Sequence, residues 1–177
     1  MKKLSSESIK NLSFAAMFFA IGIVLPFATG QIPEIGNMLL PMHLPVFLCG
    51  FICGFKYGMA VGFTLPLMRS LMFGMPVLFP NAVAMALELM TYGFVAGFVY
   101  TLIKKKSIVS IYISLISAML AGRAVWGVSS AILYGIGQKS YGIAAFFAGA
   151  FLEAIPGIIL QLVLVPAIII SIEKSRK

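Results

Sequence analysis

NAVAMALELMTYGFVAGFVYTLI (residues 81–103), closed by Lys104-Lys105-Lys106, is an apolar run interrupted by a single charge, Glu88. As a helix it rises about 35 Å, enough to cross the ~30 Å hydrocarbon core of a bilayer. The lysines at its end stand where membrane proteins place their topology-setting positive charge. Glu88 is therefore a carboxylate inside a membrane span. Such a charge costs roughly 3 to more than 10 kcal/mol and is rarely kept without a use.

Working outward, the same pattern recurs. Arg69, Arg123 and Glu153 each lie in a separate apolar stretch. Two positives and two negatives sum to zero, which points to a paired polar site inside a membrane protein. Composition agrees: the 177 residues are 61% hydrophobic and 10% charged, with a mean hydropathy of +1.07. A soluble domain carries about 25% charged residues, so an all-α integral membrane protein is expected, in one domain over residues 1–177. The excess of 13 Lys+Arg over 5 Asp+Glu does not indicate nucleic acid, because the lysines sit at the ends of apolar segments. No cleavable signal is expected. Met1-Lys2-Lys3 leads into the polar Leu4 to Asn11 and then a full-length span without a small-residue cleavage site.

Six helices are predicted. The first runs from Leu12 to Thr29, followed by a Pro/Gly loop from Gly30 to Pro41 (GQIPEIGNMLLP). His43 to Gly54 is apolar but only about 18 Å long as helix, too short to span alone. Gly54-Phe55-Lys56 makes a turn, and a third helix runs from Tyr57 to Phe73. A second Pro/Gly loop, Gly74 to Pro80, precedes the helix of residues 81–103. Ser107 to Tyr134 forms the fifth. Tyr141 to Ile172, containing Pro156 and Pro166, forms the sixth, longer than a bilayer needs and so expected to tilt, kink or begin at the interface.

Six crossings with the N-terminus inside place Lys2, Lys3, Lys10, Lys56, Lys104, Lys105, Lys106, Lys174, Arg176 and Lys177 on the inner side and only Lys139 outside. That asymmetry predicts cytoplasmic N- and C-termini. Arg69 then lies four residues from the outer end of its helix. Glu88 lies about 12 Å below Pro80, and Arg123 and Glu153 roughly 16–18 Å from the outer surface. A pocket open to the outside fits this depth better than a through-pore.

Each polar residue carries two readings. The four charges could be ion pairs that lock helices together, though desolvation leaves such pairs little net stability. Together with Asn81, His43 and Trp126 they favour a ligand site. Trp126 lies one turn from Arg123 on the same face. It suits a planar ring beside a guanidinium, or equally an interfacial anchor. Gly50, Gly54, Gly58 and Gly62, with Gly93 and Gly97, have the four-residue spacing that lets membrane helices approach closely. Ala16 and Ala20 form another small pair on a smooth face of the first helix.

Other chemistries find little footing. Cys49 and Cys53, at i and i+4 with His43 the sole histidine, read as buried apolar thiols and not a metal site. Gly135-Ile136-Gly137-Gln138-Lys139-Ser140 lacks the Gly-Lys-Ser/Thr core of a phosphate loop. The chain has no aspartate and no G-x-S-x-G. An enzyme is not expected, nor a metal or cofactor.

Between Asn37 and Gly97 several motifs resemble a known family. They are Leu40-Pro41-Met42-His43-Leu44-Pro45-Val46, Gly54-Phe55-Lys56-Tyr57-Gly58, Pro66-Leu67-Met68-Arg69-Ser70 and Phe73-Gly74-Met75-Pro76. Phe79-Pro80-Asn81-Ala82-Val83-Ala84-Met85, followed by Glu88 and Tyr92-Gly93, continues the likeness. The chain is similar to the substrate-binding S components of energy-coupling factor (ECF) vitamin transporters, over most of its length. The resemblance implies a multi-pass protein of the bacterial plasma membrane that binds a vitamin near the extracellular face under a mobile first loop, here Gly30 to Pro41. It also implies docking on a membrane coupling subunit and two cytoplasmic ATPases, through an alanine-x-x-x-alanine motif that Ala16 and Ala20 match. The subfamily it looks closest to takes vitamin B6 compounds.

Chemistry gives that choice modest support. Pyridoxine, pyridoxal and pyridoxamine are small, planar and near-neutral or zwitterionic. A carboxylate can pair with ring nitrogen or amine, an arginine with the phenolate, and an aromatic can stack on the ring. Pantothenate, an anion, would leave acids uncompensated, and thiamine, a cation, would favour excess acid. Pantothenate, thiamine, folate and riboflavin remain alternatives, as does a self-sufficient secondary transporter, for which no internal repeat is evident. The expected substrate-binding residues are Arg69, Glu88, Arg123, Trp126, Glu153, Asn81, His43 and Asn37, with Ala16 and Ala20 for docking.

Overall fold

A computed structural model describes residues 6–29, 39–136 and 154–175. Its described residues form six α-helices: α1 (Ser6–Val24), α2 (His43–Cys53), α3 (Phe55–Phe73), α4 (Val83–Leu102), α5 (Ile108–Ile136) and α6 (Ile155–Ser175). Four of them, those of the segments Ser6–Ala28, Leu78–Leu102, Ile108–Tyr134 and Ile155–Lys174, are long and apolar enough to cross a membrane. The short second helix is present as expected, with 11 residues. The surface is apolar where these helices face outward: Val24, Leu120, Val128 and Val163 are all exposed. Arg69, Glu88 and Arg123 are buried. That inversion of a soluble protein is what lipid on the outside demands.

Several boundaries differ from the expected ones, each for a local reason. The first helix begins at Ser6, six residues earlier than Leu12, and its last turn changes to a 3-10 helix over Leu25–Thr29. Pro26 has no N–H and its ring crowds the carbonyl four residues back, so the α ladder stops there. The third helix starts at Phe55, immediately after Gly54. Ahead of α4 stands one wide turn, Leu78–Ala82, in which Phe79 is extended (φ −121°, ψ 131°) and Ala82 N donates to Val77 O at 2.9 Å. Phe79 precedes Pro80, whose ring drives the residue before it out of the helical region. The last helix is described from Ile155, with Pro156 in its first turn, where a missing N–H costs nothing. Tyr141 to Glu153, expected to begin it, lie outside the described residues.

α4 is the central element. It packs against α3, α5 and α2; α1 covers α2 and α3, and α6 packs on α2 and α5. Its buried residues form two stripes with helical spacing, Ala84–Glu88–Tyr92–Ala96 and Leu89–Gly93–Gly97. The second stripe meets the glycines of α2 and α3. A Cβ at Gly93 would stand 2.2 Å from Gly58 O, and one at Gly58 would stand 2.7 Å from both Gly50 Cα and Gly93 O. At Gly97 it would reach within 2.6 Å of Gly50 O, and at Gly62 within 2.2 Å of Leu89 O. Three backbones thus touch, as the small-residue spacing anticipated. Gly54 is different: nothing lies within 4 Å, and its φ of +93° is what requires glycine.

The two bundle ends are tied differently. At one, Tyr57 Oη donates to Ser8 O at 3.3 Å, and Tyr100 Oη donates to Glu173 Oε1 while Lys106 Nζ donates to Tyr100 O. Burial pulls the Lys106 ammonium below the usual lysine pKa, with Glu173 opposing. At the other end, Phe27 and Phe73 meet edge to face at 5.0 Å, and Tyr134 Oη donates to Asn81 Oδ1 at 2.6 Å. The candidate site belongs to this second end. Cys49 and Cys53 are buried thiols, as read from the sequence.

Candidate functional site

Glu88 stands in the second turn of α4, on the stripe that faces α2 and α5. Its Oε1 accepts from Tyr92 Oη at 2.8 Å and lies 3.2 Å from Arg123 Nη1 on α5. Its Oε2 lies 3.7 Å from His43 Nε2, the first residue of α2. Four helical turns on three helices therefore converge on one carboxylate. All four residues are buried, Glu88 at 1% and Arg123 at 6% relative exposure. A carboxylate held this deep needs such company: opposite charge and donated hydrogen bonds offset its desolvation.

Tyr92 is the residue the sequence reading did not assign to the site, although it is quoted in the family motif. Its position at i+4 from Glu88 on one helix face is the signal that would have found it. The ring is wedged between α2 and α5. It lies 4.9 Å from Phe47 and 5.3 Å from His43, centroid to centroid. On the other side a Cβ at Gly122 would come within 2.2 Å of its Cε1. Glycine at 122, one residue before Arg123, is what lets the tyrosine lie flat against α5.

Arg69 is buried but serves another group. Its Nη1 donates to Ile23 O at 2.5 Å, and its guanidinium sits over the rings of Phe27 and Phe73 at 5.0 and 5.3 Å. Among the described residues it forms no ion pair with Glu88. The four-charge cluster expected from the sequence is therefore divided, with Arg123 and not Arg69 as the partner of Glu88. Asn81 is exposed and engaged with Tyr134. Trp126 is half-buried, and its carbonyl accepts from Ser129 Oγ at 3.1 Å. Glu153 and Asn37 lie outside the described residues.

Chemically the centre offers a carboxylate, a guanidinium, a phenol and an imidazole, all buried. No group of three or more His, Cys, Asp or Glu that could hold a metal occurs among the described residues. What the set can do is hold a small polar molecule by complementary charge and hydrogen bonds.

The family model described as "ECF transporter, substrate-specific component" matches residues 10–169. The chain belongs to this family. No curated protein and no solved structure matches it. As an ECF substrate-specific component it is a multi-pass membrane protein and the substrate-binding subunit of a transporter, not an enzyme. The helices of the described residues and the four segments long and apolar enough to span agree.

Proposed function

We propose that this chain binds a vitamin B6 vitamer at the centre formed by Glu88, Arg123, Tyr92 and His43, and delivers it inward by docking on an ATPase-driven coupling module. The observation that carries the choice of ligand is the Glu88–Arg123 pair at 3.2 Å. One carboxylate and one guanidinium balance, so a ligand of no net charge enters without leaving either uncompensated. A zwitterionic pyridinol can give its ring N–H to Glu88 and its phenolate to Arg123. The flanking ring of Tyr92, with Trp126 one turn from Arg123, suits a planar heterocycle.

An anion such as pantothenate would want a second free cation, and Arg69 is already committed to Ile23 O. Arg69 contributes to binding in this reading by fixing the end of α1. Asn81 and Trp126, together with Glu153 and Asn37, complete the proposed set of substrate-binding residues. Positive-inside asymmetry supports an outward-facing site with both termini cytoplasmic. The exposure of Ala16 and Ala20 on α1 among the described residues supports their role in docking.

Native mass spectrometry of the purified protein tests the ligand directly. A co-purified vitamer of pyridoxine mass, exchangeable with added pyridoxine, is expected. Pantothenate, thiamine, folate or riboflavin in its place would move the assignment to that vitamin.

A further inference from the structure

Among the described residues, four buried polar atoms have no hydrogen-bond partner: both ring nitrogens of His43, Ser130 Oγ and Gln161 Nε2. Leaving such atoms unpaired costs the full desolvation of each, so native interiors rarely do it. They stand on three helices, α2, α5 and α6, that pack on one another or on α4. His43 Nε2 is 3.7 Å from Glu88. Ser130 is seven residues from Arg123 on α5, two helical turns along the same face. The carbonyl that a helical serine hydroxyl commonly takes, four residues back, is Trp126 O, and Ser129 Oγ occupies it. Gln161 is 2% exposed on α6, a helix that packs on α2 and α5, the two carrying His43 and Ser130.

We propose that Gln161 and Ser130, with His43, are specificity-determining contacts that read the uncharged oxygen groups of the ligand, hydroxyl or carbonyl, while Glu88 and Arg123 read its charges. The chemistry of the orphans defines the class. A carboxamide NH₂ can only donate, so it faces an oxygen acceptor. A serine hydroxyl and a neutral imidazole each donate and accept, which suits a hydroxyl or hydroxymethyl group. A bare hydrocarbon ring would leave all three unsatisfied, and a site with unpaired buried polar groups rejects it strongly.

The inference rests on the substrate centre proposed above, and its test separates the two. Gln161→Met keeps an unbranched side chain of similar length and removes the amide. Ser130→Ala removes the hydroxyl. Pyridoxine is titrated calorimetrically into ligand-depleted wild type and each variant, and the ligand-free proteins are melted in the same detergent. The expected result is binding weakened at least about tenfold in Gln161→Met and less in Ser130→Ala, with ligand-free melting unchanged or raised, because an unpaired amide has been replaced by an apolar group. Unchanged affinity overturns the proposal. So does a lowered melting temperature of ligand-free Gln161→Met, which would mean that the amide has a partner within the fold. If wild type does not bind pyridoxine, the vitamin assignment falls. The melting comparison then decides the polar-contact proposal: lowered melting overturns it, unchanged or raised melting sustains it.

Discussion

Arg69 Nη1 donates to the carbonyl of Ile23, from the last turns of α3 to the last turn of α1. The bond answers a vacancy written in the sequence. A carbonyl at position 23 would serve residue 26 or 27, but residue 26 is proline and the helix tightens to 3-10 from Leu25. A cation at a helix C-terminus also meets the negative end of the macrodipole. Phe27 and Phe73 clasp the guanidinium on its faces. A planar, stacked donor is needed here, so Arg69→Lys should destabilise nearly as much as Arg69→Ala, by about 1–3 kcal/mol. Chemical denaturation of the two variants in detergent checks this. Wild-type stability in Arg69→Lys would reduce the contact to simple charge.

For the Glu88–Arg123 pair, removal of one partner should cost more than removal of both. Glu88→Ala leaves a buried guanidinium without its carboxylate, a loss of about 3–5 kcal/mol. Glu88→Gln with Arg123→Met should recover a large part of that stability while remaining unable to bind pyridoxine. A double-mutant cycle on unfolding free energies should give a coupling of about 1–3 kcal/mol. Additive losses would show that the pair at 3.2 Å carries no energetic coupling. In every one of these variants, pyridoxine affinity is expected to fall at least about tenfold, since an interaction with a charged group is lost.

How much of this was legible in the sequence depends on the range of the interaction. Helix number, the short α2 and the burial of Arg69, Glu88 and Arg123 follow from hydropathy and length, which are local properties. Glycine contacts were legible as spacing, because four-residue repeats place Gly50, Gly58, Gly93 and Gly97 on faces that can meet. The pairing of charges was not. Depth and sign make Arg69 and Arg123 equivalent candidates for Glu88, and only the packing of α4 on α5 and of α3 on α1 divides them. Pro26 and Phe27 held the missing information for Arg69, an orphan carbonyl and a ring, but reading them requires knowing that α1 ends beside α3. Gln161 was passed over because an uncharged amide in an apolar run raises no alarm until its partners are counted.

Gly122→Ala tests how Tyr92 is held. The added Cβ would come within 2.2 Å of Tyr92 Cε1, and the ring cannot retreat freely because Phe47 and His43 stand behind it. Overpacking of this kind costs about 1–3 kcal/mol. Displacing the ring also pulls its hydroxyl from Glu88 Oε1. Both stability and pyridoxine affinity should therefore fall. Tyr92→Phe keeps the packing and loses only the hydroxyl bonded to Glu88, so it should lower affinity and cost about 1.5–3 kcal/mol of stability. Unchanged affinity in Tyr92→Phe would detach the hydrogen bond from the site.

The two kinds of glycine should separate in size. Gly93→Ala drives a methyl into Gly58 O at 2.2 Å, backbone against backbone, with no side chain to yield. Gly54→Ala meets no atom within 4 Å and pays only for its backbone conformation (φ +93°, ψ 166°), open essentially to glycine alone, about 1–3 kcal/mol. Gly93→Ala is expected to be the more damaging by a clear margin in thermal unfolding. The reverse order would mean that α3 and α4 can slide apart, and that the close contact of three backbones is dispensable.

Among the described residues Ala16 and Ala20 are exposed, on the side of α1 that also carries Leu12, Met17 and Val24. A bulky residue there has room in the isolated subunit, so Ala16→Trp with Ala20→Trp should leave folding and pyridoxine binding unchanged. Small residues four apart matter where another backbone comes close. If a coupling subunit docks on that face, two indoles hold its helix off by several ångströms, and uptake into cells that carry the complete transporter should be abolished. Binding to the purified subunit and uptake by cells are measured on the same double variant. Reduced binding with undiminished transport per bound ligand would remove docking from this face of α1.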